Sequence, residues 1–278
     1  MLPGPRRLSS SASLGDHMKP SALALALLAA LSPAAARAGE TACWYEQGVL
    51  VAPASVAGIA GDYILDTGSP VTQLHETKAQ AAGLEQTSLV GDVQVAGLTL
   101  RGRPLTVTDL DSRTWLFPTP IAGVIGADVL GDYVVDVSFA PCRVAIRALG
   151  EAPPFAAGTT LPLAKVDGAA TAFAAVSDGP RAFGGPFVVA TGADASIRLD
   201  PAFAGVAGEA KPADLLPGGE RRAELRAASF AGTLFENLDA GLAPVDARMA
   251  GIIGAPLLSH WRVRFDFPRG RLLLAPAG

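Results

Sequence analysis

From residue 48 onward, apolar positions recur mostly at every second residue, in short runs broken by Gly, Pro and Asp. That period belongs to half-buried β-strands. It predicts strands at 48–56, 60–65, 92–95, 98–100, 105–108, 133–139 and 143–146. Helical spacing is rare. It predicts a helix over Glu76–Ala82 that stops at Gly83, and a turn or slightly more over Asp128–Leu130. The chain is therefore expected to be mostly β.

The pattern occurs twice. Ile125-Gly126-Ala127-Asp128-Val129-Leu130 returns as Ile253-Gly254-Ala255-Pro256-Leu257-Leu258, an offset of 128 residues. The register runs on through Tyr133 and Trp261, Val135 and Val263, Phe139 and Phe267, and Arg143 and Arg271. Upstream, Tyr63-Ile64-Leu65-Asp66-Thr67-Gly68-Ser69 answers to Phe187-Val188-Val189-Ala190-Thr191-Gly192-Ala193 at an offset of 124. Each half thus holds an apolar strand ending in x-Thr-Gly-small and, further on, an apolar-Ile-Gly-Ala segment followed by a strand pair. The stretch Gly150–Gly158, with Pro153-Pro154, is the natural linker. It divides the chain into lobes at 39–150 and 151–278.

Composition narrows the class. Of 278 residues, 50% are hydrophobic and 17% charged, which excludes a disordered chain. A formal charge of −4 gives no electrostatic footprint for nucleic acid. The apolar run Ala22–Leu31 is too short to span a bilayer, so no stable membrane span is expected once the leader is removed. Instead, Lys19, this run and Ala36-Arg37-Ala38 read as a signal peptide cleaved after Ala38, with translation starting at Met1 or at Met18. The expected location is periplasmic or secreted. In an oxidising compartment the isolated pair Cys43 and Cys142 favours a disulfide, two small buried hydrophobes being the alternative. The mature chain keeps only His75 and His260, too far apart for a zinc-site spacing, so neither metal nor cofactor is implied.

One motif carries chemistry. A carboxylate at a strand end before Thr67-Gly68-Ser69 sits on a sharp turn that Gly permits, where hydroxyls and backbone N–H groups can hydrogen-bond it. Asp66-Thr67-Gly68-Ser69 after Tyr63-Ile64-Leu65, with the later Val124-Ile125-Gly126, resembles the pepsin/retropepsin-like aspartic peptidases, in their exported bacterial two-lobed form. The resemblance spans roughly residues 48–274. It implies a mostly β, two-lobed acid-protease-like fold with a cleft between the lobes, to which each lobe contributes one such turn. Two aspartates there share a proton and hold a water. By this resemblance Asp66 is the catalytic carboxylate of an aspartic endopeptidase acting on a peptide or protein substrate. Thr67, Gly68, Ser69, Thr191 and Gly192 support the turns, Thr67 and Thr191 bridge the lobes, and Val124-Ile125 and Ile252-Ile253 pack beneath.

The second half departs from the pattern, with Ala190 at the degenerate catalytic position and Asp194 four residues later. Three readings follow. A homodimer, allowed but not required, supplies the second carboxylate; Asp66 alone supports altered chemistry; or a non-catalytic relative binds peptide or protein without cleaving it. Hydrolysis by an Asp66-activated water is the leading expectation, and binding the alternative. Other residues read as structure. His75 and His260 are expected on the surface or in structural roles, and Glu220–Glu224 in a solvated turn. Trp115 and Phe117 are expected in core packing, lining of the cleft being the alternative, and no Tyr-bearing flap is evident between Asp66 and Trp115.

Overall fold

A computed structural model describes residues 39–178, 182–200, 223–242, 244 and 248–277. The expected signal peptide with its cleavage after Ala38, the start at Met18, and Glu220–Arg222 lie outside the described residues.

The first half supplies β1 (Glu40–Ala42), β2 (Trp44–Glu46), β3 (Val49–Val56), β4 (Ile59–Leu65), β5 (Gln73–His75), β6 (Ser88–Val95), β7 (Leu98–Thr108), β8 (Ile121–Ile125), β9 (Val134–Phe139) and β10 (Cys142–Arg147). The second supplies β11 (Thr159–Pro162), β12 (Ala164–Val166), β13 (Ala169–Ser177), β14 (Ala182–Ala190), β15 (Ile197–Leu199), β16 (Ala223–Phe230), β17 (Thr233–Leu242), β18 (Gly251–Gly254), β19 (Trp261–Asp266) and β20 (Arg271–Pro276). Short helices are α1 (Glu76–Ala81), α2 (Asp111–Thr114), α3 (Ala127–Leu130) and α4 (Ala255–Leu258). The expected helix over Glu76–Ala82 is α1, and Gly83 follows it at a φ of 76°. The expected strands 98–100 and 105–108 are one strand, β7, because its partner β6 continues beside it through the polar stretch between them.

The repeat in sequence is a repeat in topology. One seven-stranded sheet runs β2-β3-β4-β8-β5-β7-β6, closed by β3 pairing with β6. The other has the same order with every strand ten places later, closed by β13 pairing with β16. Each thus forms a barrel-like lobe. Its central strands β8 and β18 run parallel to β4 and β14, the strands that lead into the two Thr-Gly turns. All five residues of β8 are buried, as a continuous apolar run between two neighbours should be.

A third sheet, β1-β10-β9-β19-β20-β11, takes three strands from each half. At its centre β9 and β19 are antiparallel, and Asp136 faces Arg264. These positions lie 128 apart, so they are equivalents in the repeat, and a pseudo-two-fold axis passes between them. Arg264 donates from Nε and Nη2 to the two oxygens of Asp136 at 2.5 and 2.7 Å. Its Nη1 donates to Pro153 O at 2.8 Å, and its guanidinium lies 4.7 Å from the Phe155 ring centroid, which fastens the linker to this sheet. Cys43 and Cys142 are bonded, joining the residue after β1 to the start of β10. Among the described residues no helix is long and apolar enough to cross a membrane.

Candidate functional site at the lobe interface

Both turns are held from below by their own lobe. Asp66 N donates to Ile125 O at 2.9 Å and Ala127 N to Ser69 O at 2.7 Å. In the second lobe Gly254 N donates to Ser196 O and Ala255 N to Ala193 O, both at 3.0 Å. Val124, Ile125 and Ile253 are fully buried beneath the turns, whereas Ile252 is partly exposed.

The turns are then locked to each other. Thr67 Oγ1 donates to Val189 O at 2.6 Å and accepts from Thr191 N at 3.2 Å. Thr191 Oγ1 donates to Leu65 O at 2.6 Å and accepts from Thr67 N at 3.2 Å. A second symmetric pair lies outside the first, with Leu50 N donating to Thr191 O at 3.0 Å and Ala170 N to Thr67 O at 3.3 Å. The hairpin turns that deliver these strands, Gln47-Gly48 and Asp167-Gly168, have positive φ at both residues. That is the twist a two-residue β-hairpin prefers. Glycine at position 48 also permits a close approach, since a Cβ there would lie 2.7 Å from Asp194 O. Every polar atom in this four-bond threonine bridge has a partner, so the buried network stiffens the interface.

Asp66 lies at the centre and is 5% exposed. Its Oδ1 accepts from Gly68 N at 2.8 Å and from Gly192 N at 3.3 Å. Its Oδ2 is paired with Nη2 of Arg113, and the same nitrogen donates to Gly192 O at 3.0 Å. Backbone N–H groups and a guanidinium therefore hold the carboxylate, and among the described residues none of its partners is a second carboxylate. Ser69 does not contribute its hydroxyl, which donates to Val71 O at 2.9 Å. Ala190 is 4% exposed and packs with Val188, Ala193 and Met249. Its methyl lies over Gly68, where an added Cβ would come within 2.5 Å of it. Gly192 is required for a similar reason, because a Cβ there would lie 2.5 Å from Asp66 Cγ and 2.6 Å from Arg113 Nη2. Asp194 turns to Arg198 instead.

Arg113 stands on the one-turn helix α2, which the strand-dominated pattern did not suggest. His75, expected on the surface or in a structural role, is buried at the end of β5. Its Nε2 lies 3.1 Å from Asp111 Oδ1 and so fixes the start of α2. Asp111 N also donates to Asp109 Oδ1 at 2.7 Å. His75, Asp109 and Asp111 could offer ligand atoms within 4.8 Å of one another. However, a cation on Nε2 would leave a buried N–H at Nδ1, which has no partner. A metal-bound imidazole ordinarily donates that proton to an acceptor. The three residues are better suited to holding α2 than to holding an ion.

Beyond α2 the chain turns outward. Trp115 is 72% exposed, contrary to its expected place in the core, because it follows the helix on the solvent side. Phe117 is partly buried against a cluster that includes Val49, Ile64 and Val124, as expected. His260 is exposed, with its ring 5.1 Å from that of Phe235.

No family model matches this sequence, and no curated protein matches it. Solved structures do. An aspartic proteinase from Irpex lacteus aligns over 86% of this chain and 97% of its own, with a TM-score of 0.53 and 13% identity. At that identity the likeness concerns the fold. With its two barrel-like lobes and shared six-stranded sheet, this chain adopts the pepsin-like fold.

Proposed function

We propose that this protein is a non-hydrolytic member of the pepsin-like fold, which binds a peptide or protein segment at the junction of its two lobes. The observation that carries this reading is the bridge from Asp66 through Arg113 to Gly192 O. Peptide hydrolysis by this fold needs a carboxylate free to take a proton from water and a second group to give one to the leaving amine. Here both oxygens of Asp66 already accept hydrogen bonds, and the second position carries the Ala190 methyl. Losing one acid/base partner alone removes about 10²–10⁴ in rate.

Supply of the missing carboxylate by a second copy is disfavoured by the central sheet. Pairing two copies of residues 39–150 about the same axis would set Asp136 against Asp136 without Arg264. The two lobes, 39–150 and 151–278, are thus each other's partners. The disulfide suits a periplasmic or secreted protein, as the signal-like N-terminus suggests.

The test is incubation of the full chain and of Asp66→Asn with a reduced, alkylated protein substrate from pH 3 to 7. We expect no cleavage that distinguishes the two. Cleavage by the natural sequence that Asp66→Asn abolishes would overturn the proposal in favour of an aspartic endopeptidase.

A further inference from the structure

Resting on that binding reading, we infer that Arg113 is the ligand-recognition group of the interlobe centre and that the ligand presents it with a carboxylate. A guanidinium has five N–H donors in a fixed plane. Arg113 spends only Nη2 on the protein, on Asp66 Oδ2 and Gly192 O. Its Nε and Nη1, with three N–H groups between them, have no partner among the described residues. The side chain is 31% exposed while the side chain of Asp66 beneath it is 7% exposed. One nitrogen is therefore anchored inside the interface, and the rest of the plane can meet a ligand.

This reverses the chemistry of the turn. In a catalytic pair the carboxylate meets the substrate and acts on a water. In this chain Asp66 faces inward as the holder of a cation, with two backbone N–H groups sharing its other oxygen. An arginine fixed at one end loses little conformational freedom when it binds a ligand, which is how a preorganised group gains affinity. Carboxylate is the matching partner because planar N–H donors suit planar oxygen acceptors. A dianion is a poorer match, since Asp109 and Asp111 are exposed on the same short segment. Trp115 and Leu116, exposed two and three residues after Arg113, add apolar surface beside the charge. An acidic group flanked by apolar residues is the expected recognition element, whether a peptide's C-terminus or an Asp or Glu side chain.

The experiment uses the immobilised full chain and three pools of N-acetylated random hexapeptides at neutral pH, with retained peptides counted by mass spectrometry. One pool has free C-terminal acids and no Asp or Glu, one has C-terminal amides with a single internal Glu, and one has C-terminal amides with no acid. We expect at least about tenfold greater retention of one or both acid-bearing pools, and the better retained of the two identifies the source of the carboxylate. That retention should vanish in Arg113→Met. If this variant does not fold, Asp66→Asn/Arg113→Met removes both charges together and should show the same loss. Inorganic phosphate at the same concentration should displace the retained pool less well than acetate. Equal retention of all three pools, or retention unchanged without Arg113, overturns the carboxylate assignment while leaving peptide binding intact. Retention of no pool, or cleavage of any of them in an Asp66-dependent manner, overturns the binding reading itself.

Discussion

The ion pair on the pseudo-two-fold axis permits a demanding test of the two-lobe architecture. Replacing Asp136 by Ala leaves Arg264, 9% exposed along its side chain, without its bidentate partner. Breaking a buried ion pair on one side costs about 3–5 kcal/mol. Arg264 keeps Pro153 O and the face of Phe155, the latter worth about 1–2 kcal/mol when desolvated, so the net loss should be about 2–4 kcal/mol. In a chain of this size that corresponds to a fall in Tm of about 5–15 °C. Asp136→Arg should be worse, because Arg147 already lies 3.5 Å from the Asp136 carboxylate and would become a third cation. Since the two positions are equivalent, the exchange Asp136→Arg/Arg264→Asp should recover about half of the loss or more. It should not recover all of it, because Pro153, Phe155 and Arg147 have no symmetric counterparts there. Urea unfolding of the four proteins, followed by far-UV circular dichroism, supplies the free energies. A loss below about 1 kcal/mol for Asp136→Ala, or no recovery in the exchange variant, would refute the argument from symmetry.

Three further outcomes are expected. Ala190→Asp alone should give no acid peptidase activity, because Arg113 would stand between the two carboxylates; with Arg113→Ser added, cleavage of an unfolded substrate near pH 3–5 should rise at least about 10²-fold, and equal activity of single and double variants would contradict this. Unreduced, denatured protein should label with no thiol reagent; reduction should destabilise the fold by at most about 4.7 kcal/mol, the chain-entropy value for a loop of about 100 residues, to be read from unfolding with and without reductant. Burial pushes the Tyr63 phenol well above its ordinary value, and its hydroxyl donates to Ile59 O at 2.7 Å. A group raised in the folded state keeps its contribution below the unfolded pKa of about 10 and loses it as pH rises further, by up to about 1.4 kcal/mol per pH unit. Unfolding titrations from pH 8 to 12 should therefore show a steeper alkaline decline in the natural protein than in Tyr63→Phe.

Much of the fold was legible because the repeat is preserved where packing demands it. Val124, Ile125 and Ile253 sit under the turns and tolerate little change, so their spacing survives in sequence. Thr67 and Thr191 were recognisable for the same reason, since each spends its hydroxyl and its N–H on the other lobe. Arg113 was not legible. It lies 47 residues from Asp66, on a helix of one turn whose position depends on β5 through the contact of the buried His75 with the exposed Asp111. Local periodicity carries no trace of such a contact. Asp109 and Asp111 before Arg113 are a weak helix-start signal, and they indicate a helix without indicating what its side chains touch. The outward turn of Trp115 was missed with it, because a large aromatic in an apolar stretch reads as core until the preceding helix is placed.

Alanine at position 190 and the presence of Arg113 belong together energetically. A carboxylate buried to 95% needs either a partner that shares its charge or one that opposes it. In an aspartic dyad the second carboxyl group serves the first purpose by holding a proton between the two. With alanine at position 190, Asp66 keeps only the N–H groups of Gly68 and Gly192 from the turns. Arg113 supplies the opposing charge, and its bond to Gly192 O ties that charge to the lobe whose turn carries Ala190. Removing Arg113 alone strands a buried anion, and restoring an aspartate alone gives Arg113 a second anion to hold. Either single reversal leads away from a shared-proton pair, so the two positions must change together to recover it. The threonine bridge is indifferent to this exchange, because none of its four bonds involves a carboxylate. That indifference lets the same threonine-bridged frame hold either a carboxylate pair or a carboxylate and a guanidinium at its centre.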